Sequence, residues 1–403
     1  MREVSPKQTR ATLAIMVAIW SVSFMFMTGL SRHDQLGASD FGQYYVTSRR
    51  VIVGAPTYDP IDYAALSHGG QSPSVGLRES HRMPNPAPFV LMLLPLGFLS
   101  LSMAWWITFF STLLLVALIS YRTAQELRSE PLERWTWVAV SVGSFPVLVQ
   151  GVLNHAEMLV WAAVVWGWLR LRTGDERRAG VLFGLAGCLK LFPLAIIPML
   201  VAARYRTAGV FAFMTAALGF ILSVAVLGSD SALVFIYEVL PQAARFRFSL
   251  GNISALSLLA RIMPIEPAVI VGALFLLLTI YLCRRHRSAD QVFVLAVTTS
   301  LLCSPLSWTY YLTLVLPCVM VSTTWLRGVH RWERAILPLL LATLVYWPGI
   351  LGGWSGLDGL PLPLKLAINY VPTIGLLVLW RIAQHETVAS NLAGQTTPLA
   401  QEG

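Results

Sequence analysis

Residues 179–200 read AGVLFGLAGCLKLFPLAIIPML, a run too apolar for the surface of a water-soluble protein. The apolar stretch extends to position 203 and contains one charged residue, Lys190, followed closely by Pro193. A proline ends or kinks a helix, and each half of the stretch is too short to cross a bilayer upright. The sequence predicts a shallow helical hairpin in a membrane. Because ionisable residues inside membranes are rare and usually functional, Lys190 is a candidate site residue.

The composition of the whole chain fits the same interpretation. Of its 403 residues, 56% are hydrophobic and 12% are charged, and the mean hydropathy is +0.65. Soluble domains carry about 25% charged residues, so a soluble globular protein is excluded. Residues 11–30 match one membrane span and lack a cleavage site, which predicts an uncleaved first helix. We predict an all-α polytopic membrane protein with one domain at 1–385 and a disordered cytoplasmic tail at 386–403.

Polar residues or prolines interrupt several of the other apolar stretches. These stretches are 86–121, 135–170, 207–228, 265–283, 290–326, 333–351 and 364–382. Interruptions at 95–102, 150–155 and 304–305 predict hairpin tips or broken helices. Within 86–121 we expect a re-entrant or tilted piece at 86–100, followed by a true span.

The basic residues predict the orientation of the chain. Lys and Arg gather in short loops such as 122–134, 170–178 and 284–287, and such an excess marks the cytoplasmic side. Both termini are then cytoplasmic, and about twelve segments enter or cross the membrane. The predicted outer loops are 31–85, 229–264 and 352–363. The net charge of +9 follows from this topology, so no nucleic-acid partner is expected.

The first outer loop contains DFGQYYVTSRRVIVGAPTYDP at positions 40–60. Residues 41–53 place apolar and aromatic side chains at helical spacing, which predicts an amphipathic helix on the membrane surface. Asp40 stands directly before this helix. An Asp at that position is most simply a helix cap, and this interpretation stays open beside a catalytic one.

Polar residues at the other interruptions are predicted to lie on the same outer side. They are Gln150, Asn154, His155 and Glu157 at one tip, Lys190 at a second, Arg245, Arg247 and Asn252 in the second outer loop, and Ser304, Ser307, Trp308 and Tyr310 at a further tip. Contact with headgroups would explain polar tips, and a lysine can snorkel to the interface. So many polar residues on one side nevertheless favour a polar cavity at the outer face of the membrane.

Several segments resemble glycosyltransferase family 87. The resemblance is carried by residues 40–60 and 179–200, quoted above, by NPAPFVLMLLPLGFLS at 85–100, by GNISALSLLARI at 251–262 and by SPLSWTYYLTLVLP at 304–317. It implies a GT-C-type fold in a bacterial plasma membrane. It also implies an extracytoplasmic active site that takes a sugar, mannose first and arabinose as another possibility, from a polyprenyl phosphate.

The chain departs from the family pattern at two points. The usual G-Q-x-N motif is replaced by a segment from Gln150 to Glu157, and several relatives carry His-His where this chain has Tyr310 and Tyr311. A role for histidine at that second point cannot be transferred. His155 is a possible substitute, although a histidine at a hairpin tip is more often only solvated.

The resemblance, together with the chemistry of the residues, predicts specific roles. Asp40 is the predicted general base, which removes the proton of the acceptor hydroxyl as that group attacks the anomeric carbon. Lys190, with Arg261 and Arg245 behind it, is predicted to bind the donor phosphate and stabilise its charge. The predicted substrate-binding residues are Tyr44, Tyr45, Asn154, His155, Glu157, Asn252, Trp308 and Tyr310. The acceptor is a glycolipid or another glycan.

A single displacement would invert the anomeric centre and needs no second carboxylate nucleophile. The first outer loop lacks a D-x-D motif, and the resemblance also implies no obligatory metal, so no cofactor is expected beyond the lipid-linked donor substrate. Two other functions stay open. A transporter or lipid flippase would use broken helices but commonly shows internal repeats, which are not evident in this sequence. A non-catalytic membrane assembly component would not need Asp40 and Lys190 in a cavity.

Overall fold

The computed structural model describes residues 6–31, 40–61, 82–249, 251–285, 288–326, 361, 363–364 and 370–395. Most of these residues are helical and none lies in a β-strand. Asn252 and Trp308 form an isolated β-bridge, and Ile61 is also a bridge residue. The helices are α1 (Pro6–Ser31), α2 (Asp40–Ile52), α3 (Ala87–Gly97), α4 (Leu101–Glu126), α5 (Pro131–Val142), α6 (Phe145–Leu153), α7 (Met158–Arg172), α8 (Glu176–Leu189), α9 (Ile196–Ala202), α10 (Arg206–Leu227), α11 (Ser229–Val234), α12 (Leu240–Ala244), α13 (Ala255–Ile262), α14 (Ile265–Cys283), α15 (Ala289–Cys303), α16 (Val315–Leu326) and α17 (Val371–Gln395). Single 3₁₀ turns lie at Phe192–Ala195, Arg245–Phe248 and Thr309–Leu314, and a π turn lies at Phe235–Val239.

Four helices of the described part are long and apolar enough to cross a membrane. They are Lys7–Leu30 within α1, together with α4, α10 and α14. The pair α5 and α6, bent by 51°, can supply a fifth span. Most of the side chains in α1, α10 and α14 are not buried within the protein, as expected for helices that face lipid. The all-α prediction is confirmed. The count of about twelve segments remains a prediction, since the apolar stretch 333–351 lies outside the described residues.

The predicted interruptions coincide with helix ends. Helix α6 ends at Leu153, α8 ends at Leu189 and α15 ends at Cys303. The stretch 86–121 divides into the short α3, with Pro95 inside it, and the longer α4. Prolines account for part of this pattern, because a proline lacks the N–H that would continue a helix.

Small residues allow α8 and α10 to pack closely. A Cβ atom placed on Gly180 would lie 2.4 Å from the Ala208 carbonyl oxygen, and one placed on Gly184 would lie 2.3 Å from the Ala212 carbonyl oxygen. Neither space admits a side chain. Helices in membranes commonly associate through such small-x-x-x-small faces, because lipid supplies no hydrophobic force between them. This contact fixes α8, and therefore the position at which Lys190 leaves it.

Helix α2 forms close to the predicted positions 41–53, but it lies differently from the prediction. Its Phe41, Tyr44 and Ser48 side chains are buried within the protein, where the sequence predicted a face turned to the membrane surface. The helix packs on α3, where the Ser48 hydroxyl donates to the Leu93 carbonyl oxygen at 3.2 Å. Gly97 makes the approach possible, because a Cβ there would lie 3.1 Å from the Ser48 backbone.

Arg82 joins the first predicted outer loop to the second. Its guanidinium lies 2.6 Å from the Glu238 carboxylate, and its backbone N–H donates to the Gln242 side chain at 3.3 Å. The loop that follows α2 is thereby attached to the segment containing the π turn.

The last helix, α17, extends past position 385 to Gln395, so the predicted start of the tail falls inside a helix. Residues 396–403 lie outside the described part of the chain. A disordered tail there remains a prediction.

Candidate active site

Asp40 and His155 meet although they are far apart in the sequence. Asp40 Oδ2 lies 2.9 Å from His155 Nε2, and the Tyr44 hydroxyl lies 2.7 Å from His155 Nδ1. The first of these is an ion-pair separation, since the buried Nε2 finds no acceptor in hydrogen-bond geometry among the described residues, and the second is a hydrogen bond. The His155 side chain is only 3% exposed, whereas that of Asp40 is 27% exposed. The histidine is therefore fixed inside the protein while part of the carboxylate remains accessible.

The turn after α6 explains why His155 points toward Asp40. Asn154 ends the helix in the left-handed conformation, with φ of 53°, which asparagine tolerates better than most residues. The backbone N–H of His155 then donates to the Gln150 carbonyl oxygen, and the Gln150 amide donates back to the His155 carbonyl oxygen at 3.3 Å. This pair of bonds holds the histidine backbone in place.

Two adjacent tyrosines connect this pair with the residues around Lys190. The Tyr310 ring stacks on the His155 ring at a centroid distance of 4.1 Å, and the Tyr311 ring lies edge-on to Tyr310 at 4.9 Å. Asp40 contacts the histidine that stacks on Tyr310, and the Tyr311 hydroxyl donates to Glu157 at 3.4 Å. Asp40 and Glu157 therefore flank a single aromatic pair.

Lys190 forms an ion pair with Glu157 through its Nζ and the Glu157 Oε1. The two side chains are 16% and 9% exposed. The Tyr311 hydroxyl donates to the same carboxylate oxygen at 3.4 Å, and Lys190 Nζ lies 4.8 Å from the centroid of the Tyr311 ring. Lys190 adopts an extended backbone directly after α8, because the helix ends before the Leu191–Pro193 segment. A small cavity opens beside this ion pair, lined by Gln150, Glu157, Val160, Trp161, Lys190, Phe192, Tyr310, Tyr311, Thr313 and Leu314.

Four of the predicted substrate-binding residues make contacts that shape the backbone. The Tyr45 hydroxyl donates to the Leu99 carbonyl oxygen at 2.9 Å, and the Asn154 amide donates to the Trp105 carbonyl oxygen at 2.7 Å. Asn252 accepts from the backbone N–H of Ser307 at 3.0 Å and pairs with Trp308 in the β-bridge. A role in substrate binding remains a prediction for all four.

Arg245 begins the 3₁₀ turn that ends at Phe248, and the Cζ atom of Arg261 lies 5.8 Å from the centroid of the Phe248 ring. Among the described residues, neither arginine contacts Lys190. Arg261 donates to the Tyr370 hydroxyl at 3.0 Å and to the Phe248 carbonyl oxygen. Arg245 is exposed at the start of a 3₁₀ turn. Their predicted role at the donor phosphate remains a prediction.

Sequence reasoning did not select Tyr311, Arg247 or Tyr370, which all take part in these polar clusters. Tyr311 was detectable, because it occupies one of the positions where relatives carry histidine. Arg247 stands in the predicted second outer loop, where the pattern R-F-R-F gives no reason to prefer it over Arg245. Tyr370 stands in an apolar stretch without a distinguishing signal.

No group of three or more His, Cys, Asp or Glu side chains within the described ranges could hold a metal ion. The expectation that no metal is obligatory stays a prediction.

A family model for glycosyltransferase family 87 matches residues 84–305, more than half of the chain. The matched region contains His155, Glu157 and Lys190 but not Asp40, and it ends before Tyr310. No curated protein and no solved structure shows significant similarity to the chain. The family assignment predicted from the sequence is confirmed, and the chain belongs to glycosyltransferase family 87, whose members are membrane glycosyltransferases.

Proposed function

We propose that this protein transfers a sugar, with mannose as the first candidate, from a polyprenyl phosphate to an acceptor hydroxyl at the outer face of the membrane. The observation that supports the proposal most is the continuous cluster from Asp40 through His155, Tyr310 and Tyr311 to Lys190. It provides a partly accessible carboxylate at one end and, at the other, a cation that lines the cavity together with Tyr310 and Tyr311. A transfer from a phosphate to a hydroxyl requires both groups.

In the proposed reaction the acceptor oxygen forms a bond to the anomeric carbon while the bond from that carbon to the phosphate oxygen breaks. The acceptor proton passes to Asp40, and the electron pair of the broken bond stays on the polyprenyl phosphate. A carboxylate suits this task, since the base needs only to accept a proton as the hydroxyl becomes acidic in the transition state. Attack from the opposite side inverts the centre, so a β-linked donor gives an α-glycoside.

His155 supports the base by holding one carboxylate oxygen at 2.9 Å. That contact orients the Asp40 carboxylate, which is partly accessible to the acceptor. The contact from Tyr44 fixes the imidazole in turn. His155 is thus the substitute for the histidines that relatives carry at the positions of Tyr310 and Tyr311.

Lys190 stabilises the charge that develops on the leaving phosphate. An ammonium group has three N–H donors, so Lys190 can keep its bond to Glu157 while it binds a phosphate oxygen. Electrostatic stabilisation of this type is strongest in a site with little water, and both members of the ion pair are largely buried. The proposal assigns no step to a metal or another cofactor.

The proposal includes a GT-C-type fold, an extracytoplasmic active site in the plasma membrane, and a glycolipid or glycan as acceptor. A transporter or flippase would move the lipid-linked sugar without forming a glycosidic bond. The Asp40–His155 pair favours transfer, because moving a lipid requires no base.

The test is Asp40→Asn, assayed in membranes for transfer of labelled mannose from polyprenyl phosphate mannose. We expect a loss of at least about 100-fold, in the range that a general base contributes. Asp59→Asn is the matched control, because Asp59 is an exposed carboxylate of the same loop and should leave transfer unchanged. Full activity of Asp40→Asn would exclude Asp40 as the base. Movement of the donor across vesicles without transfer would support a transporter instead.

A further inference from the structure

Two arginines share one aromatic ring in the segment that follows α12. The Cζ atom of Arg247 lies 4.7 Å from the centroid of the Phe248 ring, and the Cζ atom of Arg261 lies 5.8 Å from the same centroid. The 3₁₀ turn Arg245–Phe248 supplies the first arginine and the end of α13 supplies the second. Two like charges are therefore brought close together by the fold.

Buried polar residues hold this arrangement in place. The Ser257 hydroxyl donates to the Arg247 carbonyl oxygen and lies 3.3 Å from the Tyr370 hydroxyl, which also accepts from Arg261. The Asn252 amide donates to the Arg247 carbonyl oxygen at 3.2 Å. Asn252, Ser257 and Tyr370 are all almost completely buried. The backbone of Arg247 and the guanidinium of Arg261 are consequently held by a fixed framework.

The charges of the two arginines lack an anionic partner in the described part of the chain. Neither guanidinium has a carboxylate within 4.0 Å among those residues, although this separation defines the ion pairs found elsewhere in the molecule. The buried Nε of Arg247 has no acceptor within hydrogen-bonding distance there. A buried donor without an acceptor is costly, and an anion bound at the terminal N–H groups would reduce the repulsion between the two guanidinium groups.

Apolar side chains lie exposed beside these charges. Phe248 is 44% exposed, and Ile262, the neighbour of Arg261, is 72% exposed. A free inorganic anion would gain nothing from such neighbours. A phosphate attached to a hydrocarbon chain would contact both the arginines and the apolar side chains.

We propose that Arg247 and Arg261 form a binding site for the phosphate group of a membrane phospholipid, in addition to the proposed donor site at Lys190. Arg247 supplies the terminal N–H groups of its guanidinium, Arg261 supplies the remaining N–H groups of its own, and the lipid chain lies along Phe248 and Ile262. Arginine suits the task, because its planar donors match phosphate oxygens. This site does not depend on the transfer chemistry at Asp40.

Binding of two lipids to the full chain, purified in detergent, tests the proposal. The probes are dioleoyl phosphatidylglycerol and undecaprenyl phosphate, titrated separately and measured by native mass spectrometry. We expect Arg247→Gln and Arg261→Gln each to weaken binding of phosphatidylglycerol by about ten-fold or more, as the loss of a charge-assisted hydrogen bond predicts. Weaker binding of undecaprenyl phosphate alone would make the two arginines part of the donor site and overturn the proposal.

Arg285→Gln is the matched control. Arg285 is an exposed arginine whose Cζ lies 5.0 Å from the Tyr281 ring, so it has the same cation–ring contact without a second arginine on that ring. Its replacement should leave the binding of both lipids unchanged. If the arginine variants fail to fold, Phe248→Leu removes the shared ring and should still weaken binding several-fold. Unchanged binding of both lipids in folded variants, or an equal loss in Arg285→Gln, would overturn the proposal.

Discussion

Lys190 and the Arg247–Arg261 pair are both cationic regions built from polar residues at helix ends, but their charges are treated in opposite ways. Lys190 is buried and held by Glu157 and the Tyr311 hydroxyl. The two arginines are partly exposed, lie on the same Phe248 ring, and have no carboxylate partner in the ranges that the structure describes. One region is neutral as a whole, whereas the other keeps two positive charges.

This difference indicates different tasks. A buried ion pair keeps a charged group in a fixed place within a region that water hardly enters, at a considerable cost in desolvation. That arrangement suits a group that must meet a developing charge. Two unneutralised arginines at a partly exposed position attract an anion from outside, which suits the binding of a headgroup.

The largest effect on stability and transfer should come from breaking the buried ion pair between Glu157 and Lys190. Lys190→Met leaves the Glu157 carboxylate buried without its cation, which should destabilise the protein by about 3–5 kcal/mol. It should also reduce sugar transfer by about 100-fold or more, because a preorganised charge at the leaving group is lost. Thermal unfolding and transfer from polyprenyl phosphate mannose are the two measurements.

The double variant Lys190→Met with Glu157→Gln separates the two losses. We expect it to recover most of the stability and none of the transfer, since no charge is then left unpaired. Lys7→Met is the control, because Lys7 and Glu130 form an ion pair on the exposed surface, with side chains 73% and 67% exposed. Such pairs contribute little. Recovery of transfer in the double variant would show that Lys190 is only a structural partner of Glu157.

A smaller effect should follow when the second contact of the base is removed. His155→Gln keeps a polar side chain but cannot reproduce the contacts to both Asp40 and Tyr44. We expect kcat to fall by about 10- to 100-fold with little change in KM for the donor, because a misplaced base slows the chemical step more than binding. A rise in KM at unchanged kcat would assign His155 to substrate binding instead.

The smallest effect on stability should come from a change in the Arg247–Arg261 pair. Arg247→Gln removes a cation–ring contact that contributes about 0.5–1 kcal/mol at an exposed site, and it also relieves the repulsion from Arg261. We therefore expect the stability of the purified protein to change by less than about 1 kcal/mol. Thermal unfolding of Arg247→Gln and of Lys190→Met under the same conditions compares the two losses of stability. A loss as large as that of Lys190→Met would mean that Arg247 is a structural residue.

The breaks in the helices could be predicted because they depend on local chemistry. Gln150 to His155 and Lys190 to Pro193 interrupt apolar runs, and the helices end at Leu153 and Leu189 accordingly. Proline and polar groups act within one helical turn, so their effect is visible in the sequence. The position of α2 could not be predicted in the same way. Apolar spacing shows that one face of the helix is buried, but it does not show whether lipid or protein covers that face.

The candidate site was only partly predictable for a related reason. Asp40, His155, Glu157 and Lys190 were selected as separate polar residues, but the pairing of Asp40 with His155 and of Glu157 with Lys190 depends on how α2, α6 and α8 come together. Arg245 and Arg247 were equivalent in the sequence. The 3₁₀ turn separates them, since residues two apart point in different directions around a helix with three residues per turn.

Apolarity, prolines and local motifs act over short distances along the chain, so they are enough to predict a helical membrane protein, its interrupted helices and its family. Which charges meet is visible only in the folded chain. Lys190 is neutralised by Glu157 and the two arginines are not neutralised within the described residues, a difference set by contacts between side chains distant in the sequence. Those contacts follow from close helix packing, such as that of Gly180 and Gly184 on α10, and no local pattern encodes them.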